Sequence, residues 1–279
     1  MSKGVMYMLV AAFTFALMNV FVKAVSYIPA VEIILFRSII SLFLSVFMLR
    51  SQSVSIWGNN KLLLVARGIA GAIALLIFFT LIQQVPLAAA SSLAYLAPIF
   101  TTVLGIFLLK EKVLPLQWLF FIISFVGVLV IQGFDGRIDM THLLMGIATS
   151  FFMGLAYNFI RMLKTSEHPL VIILYFPLVM LPISGLWSAF VWVTPTSLLD
   201  WLYLILIGVL TQIAQFFMTK SYQSEELSKV SIVNYVGIVF SLSFGYFIFN
   251  ETFHIVTILG MFMVIGGVVL NVLFKSKIK

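Results

Sequence analysis

Leu87–Glu111 reads LAAASSLAYLAPIFTTVLGIFLLKE, and Leu227–Glu251 reads LSKVSIVNYVGIVFSLSFGYFIFNE. Aligned without a gap at a shift of 140 residues, the first pairs Leu87, Ser91, Tyr95, Phe100, Gly105, Phe107 and Glu111 with Leu227, Ser231, Tyr235, Phe240, Gly245, Phe247 and Glu251. The register extends in both directions. Leu119, Gly127 and Val128 meet Leu259, Gly267 and Val268, while Val31, Ile33, Phe36, Gly68 and Ala74 meet Val171, Ile173, Phe176, Gly208 and Ala214. With a one-residue slip, Phe13 and Asn19 meet Phe152 and Asn158. Leucine-rich segments match Leu and Phe by chance, but a shared Ser, Tyr, Gly and Glu in one register is much harder to obtain. The chain therefore reads as two copies of one unit, residues 1–134 and 135–279.

Composition says what solvent these units face. Hydrophobic residues are 63% of the 279 and charged residues 9%, too few to cover a water-facing surface. Charges, prolines and polar clusters divide the chain into apolar segments near 4–24, 29–49, 62–82, 88–109, 114–133, 141–162, 169–192, 201–221, 229–249 and 254–274. Each approaches the roughly 20 residues a spanning helix needs. Backbone in lipid must be hydrogen-bonded internally, and the runs lack period-two alternation, so they are helices rather than barrel strands. The expected fold is an all-α polytopic membrane protein of ten transmembrane helices in two inverted five-helix repeats. Little chain remains for a soluble catalytic domain. Val5–Val22 is longer than a signal-peptide core, and no small-residue cleavage site follows.

The basic residues suggest the orientation. With a cytoplasmic N-terminus, Lys3, Arg50, Lys61, Arg67, Lys110, Lys112, Arg161, Lys164, Lys220, Lys229, Lys275, Lys277 and Lys279 fall inside. Only Lys23 and Arg137 fall outside, and Arg37 lies within a span. That asymmetry follows the positive-inside rule, and one span more or fewer would scramble it. Both termini are expected in the cytoplasm, and the net charge of +7 belongs to membrane loops rather than to nucleic-acid binding. Because each half has an odd number of spans, the second enters the membrane from the opposite side. Glu111 is then expected inside and Glu251 outside, related by a two-fold axis in the membrane plane. Inverted repeats supply two nearly equivalent conformations open to opposite sides, which is a route to alternating access.

Pro86 to Pro98, the Leu109-Lys110-Glu111-Lys112 stretch, Gly127-Val128-Leu129, Arg37 and Arg67-Gly68 together resemble the EamA family of the drug/metabolite transporter superfamily. The likeness covers essentially the whole chain as two tandem units, although Ile238 stands where the second unit would carry the proline matching Pro98. The resemblance implies a ten-helix bundle around a central cavity in a bacterial cytoplasmic membrane. It also implies traffic in amino acids, nucleotide-related compounds or other small organic metabolites.

Several polar residues fall at membrane depth. Arg37 lies about 12 Å into its span, where a charge costs at least ~2.5–3.5 kcal/mol unless it faces protein or water. It is either an electrostatic handle for an acidic solute or an arginine bonded to carbonyls or to Glu32. Asn19 and Asn158, with Tyr157, recur in the first helix of each half and either line a cavity or bind helices together. Gln212 and Gln215 share a helix face at i,i+3 spacing, and Asn234, Tyr235 and Tyr95 complete a set suited to a small solute. The alternative for each is interhelical bonding. Glu111, Glu251 and Pro98 are assigned gating or structural roles at helix ends, and the other reading of the glutamates is a solvated boundary charge.

No cofactor, metal or catalytic residue is expected. Cysteine is absent, and His142, His168 and His254 are too scattered for ligation. The leading function is a secondary carrier, an exporter or exchanger, acting as a monomer or homodimer on a small-molecule substrate within the lipid bilayer. A non-transporting sensor or scaffold, or a membrane enzyme on a lipid-linked substrate, are the alternatives. Reporter fusions after Lys112 and Lys164 are expected to report cytoplasm and one near Arg137 the outside. Opposite locations for the first two would overturn the ten-span reading.

Overall fold

In the computed structural model, residues 3–110, 115–134, 136–224 and 236–277 are described. Among them all regular structure is helical: α1 (Lys3–Ala24), α2 (Ala30–Ser51), α3 (Lys61–Gln84), α4 (Leu87–Ala94), α5 (Ala97–Leu108), α6 (Pro115–Phe134), α7 (Met140–Met162), α8 (Pro169–Val191), α9 (Leu198–Ser224), α10 (Val236–Phe249) and α11 (Ile255–Lys277). Seven apolar segments are long enough to cross a membrane, with α4 and α5 together as one span. The shorter Trp118–Val130, Val236–Phe249 and Ile255–Gly267 complete ten.

The fourth span, expected as one helix over 88–109, is broken. Pro98 has no N–H to donate to the Ala94 carbonyl, and its ring crowds that oxygen. The chain tightens instead, Leu96 N donating to Leu93 O at 3.1 Å, before α5 restarts with Pro98 in its first turn. The three histidines act at helix starts. His142 and Asp139 form a capping box on α7, while His168 Nδ1 and His254 Nδ1 accept from Leu170 N and Val256 N. Burial, aided by the charge of Lys220, lowers the His168 pKa.

Hydrogen bonds sort the connections onto two faces. On the face where the chain starts, Asn60 N donates to Glu167 Oε1 at 2.6 Å and Ser221 Oγ to Gly4 O at 2.7 Å. On the far face, Tyr27 OH donates to Asp200 Oδ2 at 2.8 Å, Val193 N to Glu32 Oε2 at 2.9 Å and Arg137 Nη2 to Thr252 O at 2.9 Å. Tyr27 and Asp200 correspond, at the 140-residue shift, to Glu167 and Asn60. One tie therefore recurs on opposite faces with different chemistry.

The helix pairings carry the same symmetry. Advancing each span by five turns the α1–α9 pairing into α7–α3, α2–α9 into α8–α3 and α5–α7 into α10–α1, while α2–α8 and α6–α11 map onto themselves. Glycines hold the self-paired crossing together. A Cβ on Gly127 would lie 2.7 Å from Gly260 O, and one on Gly267 would lie 2.6 Å from Phe120 O. Gly260 and Phe120 are themselves 140 residues apart, so the axis passes through this contact. Gly68 meets Tyr175 O and Val179 on α8, while its counterpart Gly208 meets Ile40 on α2. The two halves of the fourth and ninth spans also end alike, with Lys110 and Asn250 at φ 54 and 51. Lipid tails are as apolar as the helices, so these close approaches hold the bundle by van der Waals packing rather than by the hydrophobic effect.

Replacing Gly127 or Gly267 by Leu forces α6 and α11 apart. Each is expected to cost about 1–3 kcal/mol or more and to lower the unfolding midpoint in detergent. Gly136→Leu, at a position with no neighbour within 4 Å of its Cβ direction, should leave the midpoint unchanged. Equal midpoints for all three variants would contradict the close crossing.

Candidate functional site

Two arginines lie inside the bundle. Arg37 on α2 is 2% exposed and Arg67 on α3 is 4% exposed. Arg37 Nε donates to Thr211 Oγ1 on α9 at 2.9 Å, and Thr211 in turn reaches Met18 Sδ on α1. Its guanidinium lies 4.6 Å from the Phe176 ring centroid and 5.9 Å from that of Phe79. Arg67 approaches the same Phe176 ring at 5.8 Å, and its Nη2 makes a long 3.5 Å bond to Gln215 Oε1. Arg37 Nη1, Arg67 Nε and Arg67 Nη1 are buried without a hydrogen-bond partner. Arg37 thus bonds neither Glu32 nor a carbonyl. Glu32 instead accepts from Val193 N at the far face.

Arg67 corrects the sequence-based count that placed it among the cytoplasmic loop charges. Asn60 caps α3 and the helix starts at Lys61, so Arg67 stands about 9 Å along it. The capping asparagine, six residues from the helix start to Arg67, was the signal in the sequence that could have found it. Phe176 and Thr211 had no such signal, because an apolar ring and a hydroxyl acquire a role here only through the helix packed beside them.

The two glutamines diverge in role. Gln212 is fully engaged with α2, accepting from Ser41 Oγ at 2.6 Å and donating to Ser45 Oγ at 2.9 Å. Gln215, one turn further, faces Arg67. Tyr157 lies within electrostatic reach of Arg67, and its ring packs 5.8 Å from that of Tyr222. Tyr95 stands at the break between α4 and α5, its hydroxyl where a Cβ on Gly237 would collide. Arg37, Arg67, Gln215 and Tyr157 therefore belong to one central region. Asn158 does not join it. Its Nδ2 donates to Thr101 O at 3.0 Å and Gly154 O at 2.9 Å, joining α7 to α5. Asn19 is buried with Oδ1 unpartnered. Asn234, Tyr235 and Glu111 lie outside the described residues.

Glu251 is buried, not solvated. Both carboxylate oxygens accept from Leu87 N at 3.0 Å, the first amide of α4, where the helix dipole favours a negative charge. Lys23 Nζ reaches Glu251 Oε1 at 2.6 Å and Val85 O at 2.7 Å. Asn250, in the left-handed conformation at the end of α10, turns the chain so that Glu251 N donates back to Gly245 O at 3.0 Å. Gly245 is required there because a Cβ would strike the carboxylate. One carboxylate thus fastens the ends of α1, α3, α4 and α10 across the two halves at the far face. By contrast, the groove between α5 and α6, lined by Phe100, Val103, Trp118, Phe121, Phe125 and Leu129, has an almost wholly apolar wall and nothing to orient a solute.

Lys23→Met leaves the Glu251 charge without its counter-ion and is expected to cost about 3 kcal/mol, near the lower end for breaking a buried pair, because Lys23 is 16% exposed. Combining it with Glu251→Gln should recover much of that loss. Additive losses in a double-mutant thermal cycle would show that the two side chains do not interact.

The chain matches the EamA-like transporter family over residues 2–133 and again over 140–273. It is 31% identical over 269 residues to the pseudopaline exporter CntI of Pseudomonas aeruginosa, covering 95% of this chain and 94% of that one. It is 28% identical to human solute carrier family 35 member G1, covering 89% and 73% of the two chains. A solved crystal structure superposes with a TM-score of 0.71 at 16% identity, over 99% of this chain and 97% of the other. The relatives are transporters, not enzymes. With both halves matched, this ten-span protein belongs to the EamA-like transporter family.

Proposed function

We propose that the protein is a secondary carrier that moves a small organic metabolite across a bacterial cytoplasmic membrane, as an exporter or exchanger, with both termini in the cytoplasm. The observation that carries this reading is the two-fold pairing of helices between halves of opposite orientation. A bundle built this way has a second packing, related by the axis, in which the open and closed faces exchange. The Glu251–Lys23–Leu87 fastening ties helix ends of both halves together at the far face, where such an exchange would have to break contacts. Each half supplies part of the central region: Arg37 and Arg67 come from the first, Phe176, Thr211 and Gln215 from the second. A solute held there would feel any rearrangement between the halves. The Pseudomonas aeruginosa relative, a pseudopaline exporter, supports export.

The test is reconstitution of the full chain in liposomes loaded with a metabolite mixture of amino acids, nucleotide-related compounds and organic acids. At least one solute should leave protein-containing vesicles faster than empty ones, and Gln215→Ala should slow that flux with little loss of folded protein. Gln212→Ala should act chiefly on stability, since its amide is committed to Ser41 and Ser45. If no solute moves faster than in empty vesicles, the carrier reading fails.

A further inference from the structure

We infer that Arg37 and Arg67 form the binding site for a small organic anion, a solute presenting two or more carboxylates to the paired guanidiniums. This rests on the carrier reading and names its substrate class.

Charge accounting makes the argument. Two buried like charges repel, and each costs several kcal/mol to desolvate unless an opposite charge is near. No described carboxylate forms an ion pair with either guanidinium. Glu32 accepts from Val193 N through Oε2 and keeps Oε1 unpartnered at the far-face start of α2, while Asp139 serves His142, Glu167 serves Asn60 N, Asp200 serves Tyr27 and Ser197, and Glu251 serves Lys23 and Leu87 N. Three nitrogen positions on the two guanidiniums remain buried and unbonded. Both guanidiniums lie against the one Phe176 ring, so they are no farther apart than the two centroid distances combined. That spacing lets one small molecule touch both.

Position within the repeat points the same way. The residues 140 positions beyond Arg37 and Arg67 are Pro177 and Ile207, and those 140 positions before Thr211 and Gln215 are Gly71 and Leu75. The tie between span-connecting loops recurs in both halves, but these groups do not. They break the symmetry where a single asymmetric solute would lie.

The donor chemistry selects the class. A guanidinium matches the planar, bidentate geometry of a carboxylate. A cationic solute would be repelled by the two guanidiniums. Phe176, close to both heads, offers an apolar surface for a short hydrocarbon stem. Gln215, beside Arg67, adds a side-chain amide for a hydroxyl or carbonyl on the solute.

The experiment uses the purified full chain in detergent at constant ionic strength. Thermal unfolding is followed with succinate, tricarballylate, glutamate and inorganic phosphate, with dimethyl succinate as neutral control and spermidine as cationic control. At least one carboxylate should raise the midpoint saturably, and neither control should. Arg37→Gln and Arg67→Gln should each weaken the apparent affinity roughly ten- to a hundredfold, the loss of a charge-assisted hydrogen bond, with the Lys variants intermediate. Should a Gln variant not fold, phenylglyoxal modification of the wild type, mapped by mass spectrometry, replaces it. The effective carboxylate should then protect Arg37 and Arg67 from modification. The inference is overturned if no carboxylate shifts the midpoint, if dimethyl succinate does so equally, or if phosphate alone saturates. Vesicle flux of a neutral or cationic solute without any carboxylate effect would sink this site and leave the carrier standing. Carboxylate binding in a chain that transports nothing would do the reverse.

Discussion

The structure depends on backbone meeting backbone where α6 crosses α11. Gly127 and Gly267 leave no room for a side chain there, and each touches the image of the other's partner. In lipid, helices gain little by hiding apolar side chains from one another, so association relies on contact area and on small residues that let axes approach. A crossing that maps onto itself under the two-fold fixes how one half lies on the other. The α3–α8 and α2–α9 contacts through Gly68 and Gly208 repeat the same device away from the axis.

Around that scaffold, polar groups separate by whether they respect the symmetry. The tie between span-connecting loops recurs on both faces as Tyr27–Asp200 and Asn60–Glu167. These contacts satisfy helix ends and loop amides, which every helix presents whatever solute passes. The guanidiniums of Arg37 and Arg67, with Gln215, belong to no repeated set. The most expensive groups to bury are thus concentrated where the two halves differ.

The far-face fastening shows how a charge can be structural at a membrane boundary. Glu251 meets a helix N-terminus, a lysine and the glycine behind it in one place. A carboxylate of the second half is therefore held by helices of the first. Separation of those helices would expose a carboxylate, an ammonium and an amide together to water, where each can be hydrated again.

Taken by itself, the sequence determined the spans, the repeat and the inverted orientation of the halves. These follow from local quantities: apolar run length, the register of Ser, Tyr, Gly and Glu between 87–111 and 227–251, and an odd count of spans per half. The sequence also marked Arg37 and Gln215 as polar groups at depth. The break at Tyr95–Leu96 was foreshadowed only by Pro98, because whether a proline bends or interrupts a helix depends on what neighbouring helices accept. Only the tertiary structure decided that Arg67 is buried, that Glu251 is fastened rather than solvated, and that Gln212 is spent on α2 while Gln215 turns to Arg67. Each of those outcomes depends on a partner more than 60 residues away. Hydropathy and spacing describe one helix at a time, whereas the fate of a buried charge is set by which helix packs against it.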